Sequence, residues 1–279
     1  HTVVGVVTAP DKPAGRGQKL SESAVKQYAQ EQGLPILQPI KLKDPEFIAQ
    51  LSALKPDLQV VVAFRMLPET VWNLPPQGTV NVHGSLLPKY RGAAPINWAI
   101  LNGEKETGVS TFKLQHEIDT GDILLQEKMP IGPNETAGEL HDRMKVEGAQ
   151  LLVKTLQELA NGTLKASQQQ LNSDIKHAPK LFKTDCEIDW NNTSEQIHNQ
   201  IRGLSPYPTA FTVLGDKTLK IFSAEIEPGK TEIPAGTFSS DHKSYLKFAA
   251  TDGYLSLKEM QLEGKKKMGI EEFLRGVRL

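Results

Sequence analysis

Three short β-branched runs set the main constraint on this chain: TVVGVVT at 2–8, LQVVVA at 58–63 and GTVNVH at 78–83. A strand that is apolar on both faces needs cover on both, the pattern of parallel sheets packed between helices. Helical segments stand between the runs. One is expected over about 23–32, with Ser23 as N-cap and Gly33 at its end. Another starts at Asp44-Pro45, an N-cap followed by proline at the first helical position, and ends near Leu54. A short strand at 34–37, a short helix after Pro68, a helix at 95–102, strands at 108–114 and 123–129 and a long amphipathic helix at 137–160 continue the series. The alternation predicts an α/β fold with a doubly wound, mainly parallel sheet. Such sheets open on a central strand and a glycine-containing turn. This chain opens on what reads as a second strand, so about one βα unit, roughly 30 residues, is expected to be missing ahead of it.

The pattern changes near residue 165. Residues 166–180 are polar and read as a linker, and a short helix between Cys186 and Arg202 leads onward. From Tyr207 the chain becomes short alternating runs (AFTVL, TLKIFSAEI, GTFSS, YLKFAA, GYLSLKEMQL) separated by Gly215-Asp216, Pro228-Gly229 and Asp252-Gly253. These predict a small antiparallel β-barrel over 181–279, set apart from a larger domain over 1–165.

Composition excludes several classes. With 38% hydrophobic and 23% charged residues the chain is globular. No apolar run approaches ~18 residues, and HTVVGVVTAP lacks the basic and long apolar regions of a signal peptide. Cys186 is the only cysteine, so an internal disulfide and a cysteine-based zinc site are impossible, in keeping with a reducing cytoplasm. Asn134-Glu-Thr and Asn161-Gly-Thr match the glycosylation pattern by chance on this reading. The net charge of −1 argues against a generic nucleic-acid binder, leaving only local clusters for any RNA contact.

The stretch NVHGSLLPKYRGAAP at 81–95 carries the first candidate chemistry. Asn81 and His83 are two apart in a strand and share a face of the sheet, near its carboxyl end, where doubly wound folds bind ligands. They are either polar caps of a strand end or a donor pair aimed at a carbonyl oxygen. Asp119, in QHEIDTGD at 115–122, falls in another loop and is the candidate partner; a carboxylate beside His83 would fix its tautomer and favour the protonated ring. Asp122 could simply satisfy the turn. His83 with His116, Glu117 or Asp119 could instead ligate a metal, but the spacing matches no metal signature.

Other motifs have competing readings. KPAGRGQK at 12–19 sets Arg16 between two glycines; it is neither a P-loop nor a dinucleotide fingerprint. It is either a solvated loop or a basic arm, Lys12, Arg16 and Lys19, that reaches into a polyanion. Lys265, Lys266 and Lys267 are either a solvated face or an RNA contact. They sit in a half whose 11 Lys and 3 Arg from residue 177 onward balance 5 Asp and 9 Glu. Phe64-Arg-Met-Leu-Pro68 is core packing or a hinge that reads a heterocycle.

NVHGSLLPKYRGAAPINW, with DTGD downstream, resembles the folate-dependent formyltransferases over nearly the whole chain. PDKPAGRG, IDW at 188–190 and IRGLSPYP at 201–208 are similar to the branch that acts on charged initiator tRNA. The resemblance implies a Rossmann-like formyltransferase domain and a C-terminal OB-like barrel that holds the acceptor arm of methionyl initiator tRNA. It implies that Asn81, His83 and Asp119 are the catalytic trio and that 10-formyltetrahydrofolate is the co-substrate, with no metal and no nicotinamide. Ser85, Leu86, Leu87 and Pro88 would line the folate site. Phe64, Met66 and Leu67, with His116, Glu117 and Ile118, would form the pterin-side hinge and loop, and Arg16 would approach the tRNA. A cytoplasmic monomer without membrane contact is expected. A sugar-nucleotide N-formyltransferase would use the same chemistry on a different amine.

Overall fold

The computed structural model describes residues 1–14, 19–170 and 175–277 of the 279-residue chain. They cluster into two compact units, residues 1–82 with 112–117, and residues 83–111 with 118–279.

The first unit begins with β1 (Val6–Val7), the paired strands β2 (Lys12–Ala14) and β3 (Lys19–Ser21), and helix α1 (Ala24–Glu31). β4 (Ile36–Leu37), α2 (Pro45–Ala53), β5 (Gln59–Val62), the short α3 (Glu69–Trp72) and β6 (Thr79–His83) follow. β1 runs parallel to β4 and β5 parallel to β6, with helices intervening, which is the strand–helix alternation of a Rossmann-like fold. The caps sit as read: Ser23 Oγ accepts from the Lys26 N–H, and Asp44 accepts from Glu46 with Pro45 at the first turn. Phe47, Leu51 and Val71 form a small core against which Phe64 and Leu67 pack.

The sequence overstates burial here. The strand expected over 2–8 shrinks to Val6–Val7, with Val3 and Val4 exposed, and on β5 only Val61 is buried while Val60 and Val62 face out. A β-branched run signals strand preference but does not say whether a neighbour covers each face. Lys26 is the reverse case: an exposed-looking lysine on α1 is buried between Asp11 and Glu22, pairing with both.

The second unit takes the chain on through β7 (Arg91–Gly92), α4 (Pro95–Leu101), β8 (Glu106–Lys113, whose end returns to the first unit), β9 (Ile123–Pro130) and α5 (Ala137–Ala160). Thr136 starts α5 with a complete capping box, its hydroxyl and Glu139 each satisfying a backbone N–H. β10 (His177–Ala178), a 3-10 turn at Lys183–Cys186 and α6 (Ser194–Leu204) come next. β11 (Ala210–Leu214), β12 (Lys217–Pro228), β13 (Phe238–Ser240), β14 (Leu246–Ala249), β15 (Gly253–Leu262), β16 (Met268–Gly269) and α7 (Ile270–Gly276) complete it.

The segment read as a linker does not simply span a gap. Ser167 bridges Ile123, and β10 lies parallel to β7. The Tyr90 N–H donates to the Lys176 carbonyl, and the Ala93 and Ala94 N–H groups share that of Ala178. The Lys176 ammonium and the Tyr90 hydroxyl both donate to Glu104 Oε1, at 2.7 and 2.8 Å. Burial pushes the Tyr90 phenol up. Burial also opposes ionisation of Glu104, yet the bonds from Lys176 and Tyr90 outweigh it and hold the carboxyl below its usual range.

IRGLSP turns out to be a docking device. Gly203 packs so close to α4 that a Cβ would come 3.1 Å from the Leu101 nitrogen, and Asn97 donates to its carbonyl at 2.8 Å. Arg202 donates to the Glu135 carbonyl just ahead of α5, and Gly138 N–H bonds the Ser205 carbonyl. Beyond it the strands form one antiparallel sheet ordered β11-β12-β15-β14-β13, with β16 on β15. That order has two ends. Among the described residues this is the antiparallel β-sheet expected from the sequence, with the two outer strands of the order, β11 and β13, not paired to each other. α6 and α7 lie against the sheet, and Trp190 stacks on Phe248 with ring centroids 4.7 Å apart.

Phe248→Ala should cost about 3–5 kcal/mol, because it deletes a 1%-exposed ring from this core; a denaturant-midpoint loss below about 1 kcal/mol would contradict that packing. Glu104→Gln tests the linker contact. A depressed carboxyl stabilises the fold above its unfolded pKa and loses the effect as pH falls through the folded one. The stability gap between Glu104→Gln and the wild type should therefore be widest at neutral pH and close as pH falls below the ordinary glutamate range. A gap independent of pH would show that the carboxylate charge contributes nothing.

Candidate active site

The site grows from the end of β6. Thr79 and Val80 are buried and set the strand's register against β5, so Asn81 and His83 follow on one side of the strand. His83 is 7% exposed and its Nε2 lies 2.9 Å from the Tyr90 carbonyl oxygen. That oxygen can only accept, so Nε2 carries a proton and the tautomer is fixed. Tyr90 reaches this position with φ at +61°, a left-handed turn that aims its carbonyl back at the ring.

His83 Nδ1 faces Asp119 Oδ2 at 3.8 Å, within ion-pair range but longer than a hydrogen bond. Asp119 is 8% exposed and also left-handed, with φ at +55°, which Asp tolerates better than most residues. Its Oδ2 accepts the Gly92 N–H at 2.8 Å. Gly92 could be nothing else. Its φ is +124°, and a Cβ would lie 2.4 Å from the Ala178 carbonyl oxygen. The structure thus brings together two residues 36 positions apart in sequence, as a buried carboxylate beside an imidazole of fixed orientation. A proton arriving on Nδ1 meets negative charge, and a polar group placed at this strand end meets an oriented ring.

Ser85–Pro88 occupy the next turn, where the backbone is pinned rather than free. Ser110 Oγ donates to the Ser85 carbonyl and accepts the Leu87 N–H, while Gln126 Nε2 donates to both Ser110 Oγ and the Leu87 carbonyl. Ser85 Oγ closes the turn onto the Lys89 carbonyl at 2.6 Å. Ser85 and Leu87 are buried, and Leu86 and Pro88 half-buried.

The other predicted site residues are dispersed. In the first unit Phe64 and Leu67 are half-buried core neighbours, whereas Met66 is 77% exposed. Arg65 donates to the Pro39 and Ile40 carbonyls, which anchors that segment. His116 and Glu117 are exposed in the first unit and Ile118 is exposed in the second. Lys12 is exposed on β2 and Lys19 lies in β3, while Arg16 falls outside the described residues. Lys265, Lys266 and Lys267 are all exposed, but Lys266 pairs with Glu272 at 3.0 Å and Lys267 with Glu259 at 2.8 Å. Among the described residues no three His, Cys, Asp or Glu side chains converge on a metal position, and no helix is long and apolar enough to cross a membrane.

Sequence reasoning missed Gly92, Tyr90, Ser110, Gln126 and Gln169. Only Gly92 carried a signal, as a glycine inside KYRG. The others act through a backbone carbonyl or through common polar side chains whose contacts are long-range.

Residues 1–156 match the formyl transferase family and residues 180–278 match the formyl transferase C-terminal domain. The chain is 50% identical over 287 residues to methionyl-tRNA formyltransferase of Bacteroides thetaiotaomicron, covering all of this chain and 89% of that one. It is 51% identical over 286 residues to methionyl-tRNA formyltransferase of Parabacteroides distasonis, covering 99% and 88%. Among solved structures, HypX from Aquifex aeolicus in complex with tetrahydrofolic acid has a TM-score of 0.66 at 20% identity, over 90% of this chain and 44% of that one. The N-formyltransferase from Helicobacter canadensis, in complex with folinic acid and dTDP-3-aminofucose, has a TM-score of 0.66 at 23% identity, over 92% and 86%. At such identities the two structures speak to the fold alone. With both domains matched in order and about half its residues shared with full-length relatives, the chain belongs to the formyl transferase family, among its methionyl-tRNA formyltransferases.

Proposed function

We propose that this chain transfers the formyl group of 10-formyltetrahydrofolate to the amino group of methionyl initiator tRNA. The observation that carries the reading is the buried His83–Asp119 pair at the end of the strand that bears Asn81, in a chain half identical to methionyl-tRNA formyltransferases.

The neutral methionine amine attacks the formyl carbon, forming a C–N bond and placing negative charge on the formyl oxygen. The Asn81 amide and a protonated His83 act as donors to that oxygen; donors fixed on a rigid strand need no reorganisation as charge develops. The attacking nitrogen then loses a proton, the bond to N10 breaks, and N10 takes up a proton as tetrahydrofolate leaves. Asp119 stabilises the charged imidazole and serves this proton transfer.

Ser85, Leu86, Leu87 and Pro88 line the folate site in this reading. Their fixed backbone offers a preformed edge for a heterocycle. Phe64, Met66 and Leu67 and the segment His116, Glu117 and Ile118 are assigned to the pterin. Residues 1–165 form the catalytic domain, 166–180 the connection, and 181–279 an OB-like half that holds the tRNA acceptor arm. Lys12, Arg16, Lys19 and Lys265–Lys267 supply phosphate contacts. The ion pairs of Lys266 and Lys267 are exposed and exchange readily for phosphate.

Asp119→Asn should keep the fold and lose most turnover, and Asn81→Ala should lower kcat by about 10²–10³. Near-normal single-turnover formylation by either variant would remove the assigned roles. Arg16→Ala should raise KM for charged tRNA and reduce the salt dependence of its binding, with the folate KM unchanged. A selective loss of folate affinity would argue against that assignment. Wild-type protein that formylates an amino-sugar nucleotide but not methionyl-tRNA would replace this acceptor with the sugar.

A further inference from the structure

Gln169 sits inside a polar run, Gln168-Gln169-Gln170, in the segment that sequence reads as a linker. Its two neighbours are exposed, yet Gln169 is 7% exposed. Its side-chain amide is fully used. Nε2 donates to the carbonyls of Asp119 and Gly121, both at 2.8 Å. Oε1 accepts from Arg91 Nε at 3.1 Å and Nη2 at 2.6 Å. Carbonyls only accept and a guanidinium only donates, so the orientation of this amide is forced.

These four bonds flank one contact. Asp119 Oδ2 accepts the N–H of Gly92, and Gly92 directly follows Arg91. Gln169 therefore grips the backbone of the Asp119 loop with one end and the residue before Gly92 with the other. Asp119 needs such support, since its left-handed backbone lies in a turn outside any helix or strand. We infer that Gln169 is a positioning residue for formyl transfer: its amide holds the Asp119 loop against the Arg91–Gly92 strand, so that the carboxylate stays at the His83 imidazole. The inference rests on the roles proposed above for His83 and Asp119.

A merely structural glutamine would affect stability or substrate binding. A positioning residue changes turnover, and does so only through the group it positions. The test compares wild type, Gln169→Ala, Gln169→Glu, Asp119→Asn and the Gln169→Ala/Asp119→Asn double variant, with 10-formyltetrahydrofolate and methionyl-tRNA as substrates. Gln169→Glu keeps an acceptor for Arg91 but offers no N–H to the two carbonyls, and it carries the test if Gln169→Ala does not fold. Both Gln169 variants should lose about 10–100-fold in kcat, the scale of a displaced catalytic group. Both KM values should stay within about twofold, as expected when only the transition state is affected. In the Asp119→Asn background the Gln169→Ala change should cost less than about twofold, because the two substitutions act on one unit. Amide exchange at Gly92 should quicken in both Gln169 variants while the Phe248 core stays protected.

Wild-type kcat in Gln169→Glu, or losses that multiply in the double variant, would overturn the inference, as would unchanged exchange at Gly92. If the wild type transfers no formyl group to tRNA, the functional reading fails. Exchange at Gly92 then still decides whether Gln169 holds the loop.

Discussion

A carboxylate shut away from water must be met by donors or by positive charge, and this requirement at Asp119 organises the second unit. The Gly92 N–H meets one oxygen, and the imidazole of His83 faces the same oxygen. To present that N–H, the chain at residue 92 adopts a conformation open only to glycine and presses against Ala178. To present the imidazole, Tyr90 turns its carbonyl inward through a second left-handed residue. Two non-glycine residues with positive φ thus serve one buried pair, Asp119 as a member and Tyr90 as the carbonyl that holds its partner, and the contacts of β7 and β10 keep Tyr90 and Gly92 in place. Such local strain persists only where surrounding bonds over-determine it.

What could be read from sequence is what repeats locally. The caps at Ser23 and Asp44, the long amphipathic α5 and the Asn-x-His strand all follow from patterns within a few residues, and each is found as expected or within a residue or two. The residues that complete the site are legible only through long-range contacts. Gln126 lies 39 positions from the carbonyl it serves and Gln169 lies 50 from Asp119; neither differs in local context from a solvated glutamine. The same limit explains the exposed valines of β5, since periodicity describes a strand and not its neighbours. Turn spacing likewise predicts hairpins, which the antiparallel C-terminal sheet bears out, and says nothing about whether the last strand meets the first.

The C-terminal sheet shows how a neutral half can still offer basic side chains. Three of its lysines pair with glutamates at the surface: Lys258 with Glu225, Lys266 with Glu272 and Lys267 with Glu259. Exposed pairs of this kind contribute little to stability, about 0–1 kcal/mol each. They leave the ammonium groups available to a stronger anion, and long-range attraction remains weak because the field of the half is balanced.

The contacts of Gln169, Lys176 and Ala178 with the Tyr90–Ala94 segment also bear on synthesis. A nascent chain that has emerged only through α5 holds both members of the histidine–carboxylate pair but lacks Gln169, Lys176 and Ala178. Its centre is unbraced at that stage. The contacts that seat Asp119 and the Tyr90–Gly92 turn therefore close only once translation has passed α5, so two segments made early wait for the chain beyond them to be fixed in place.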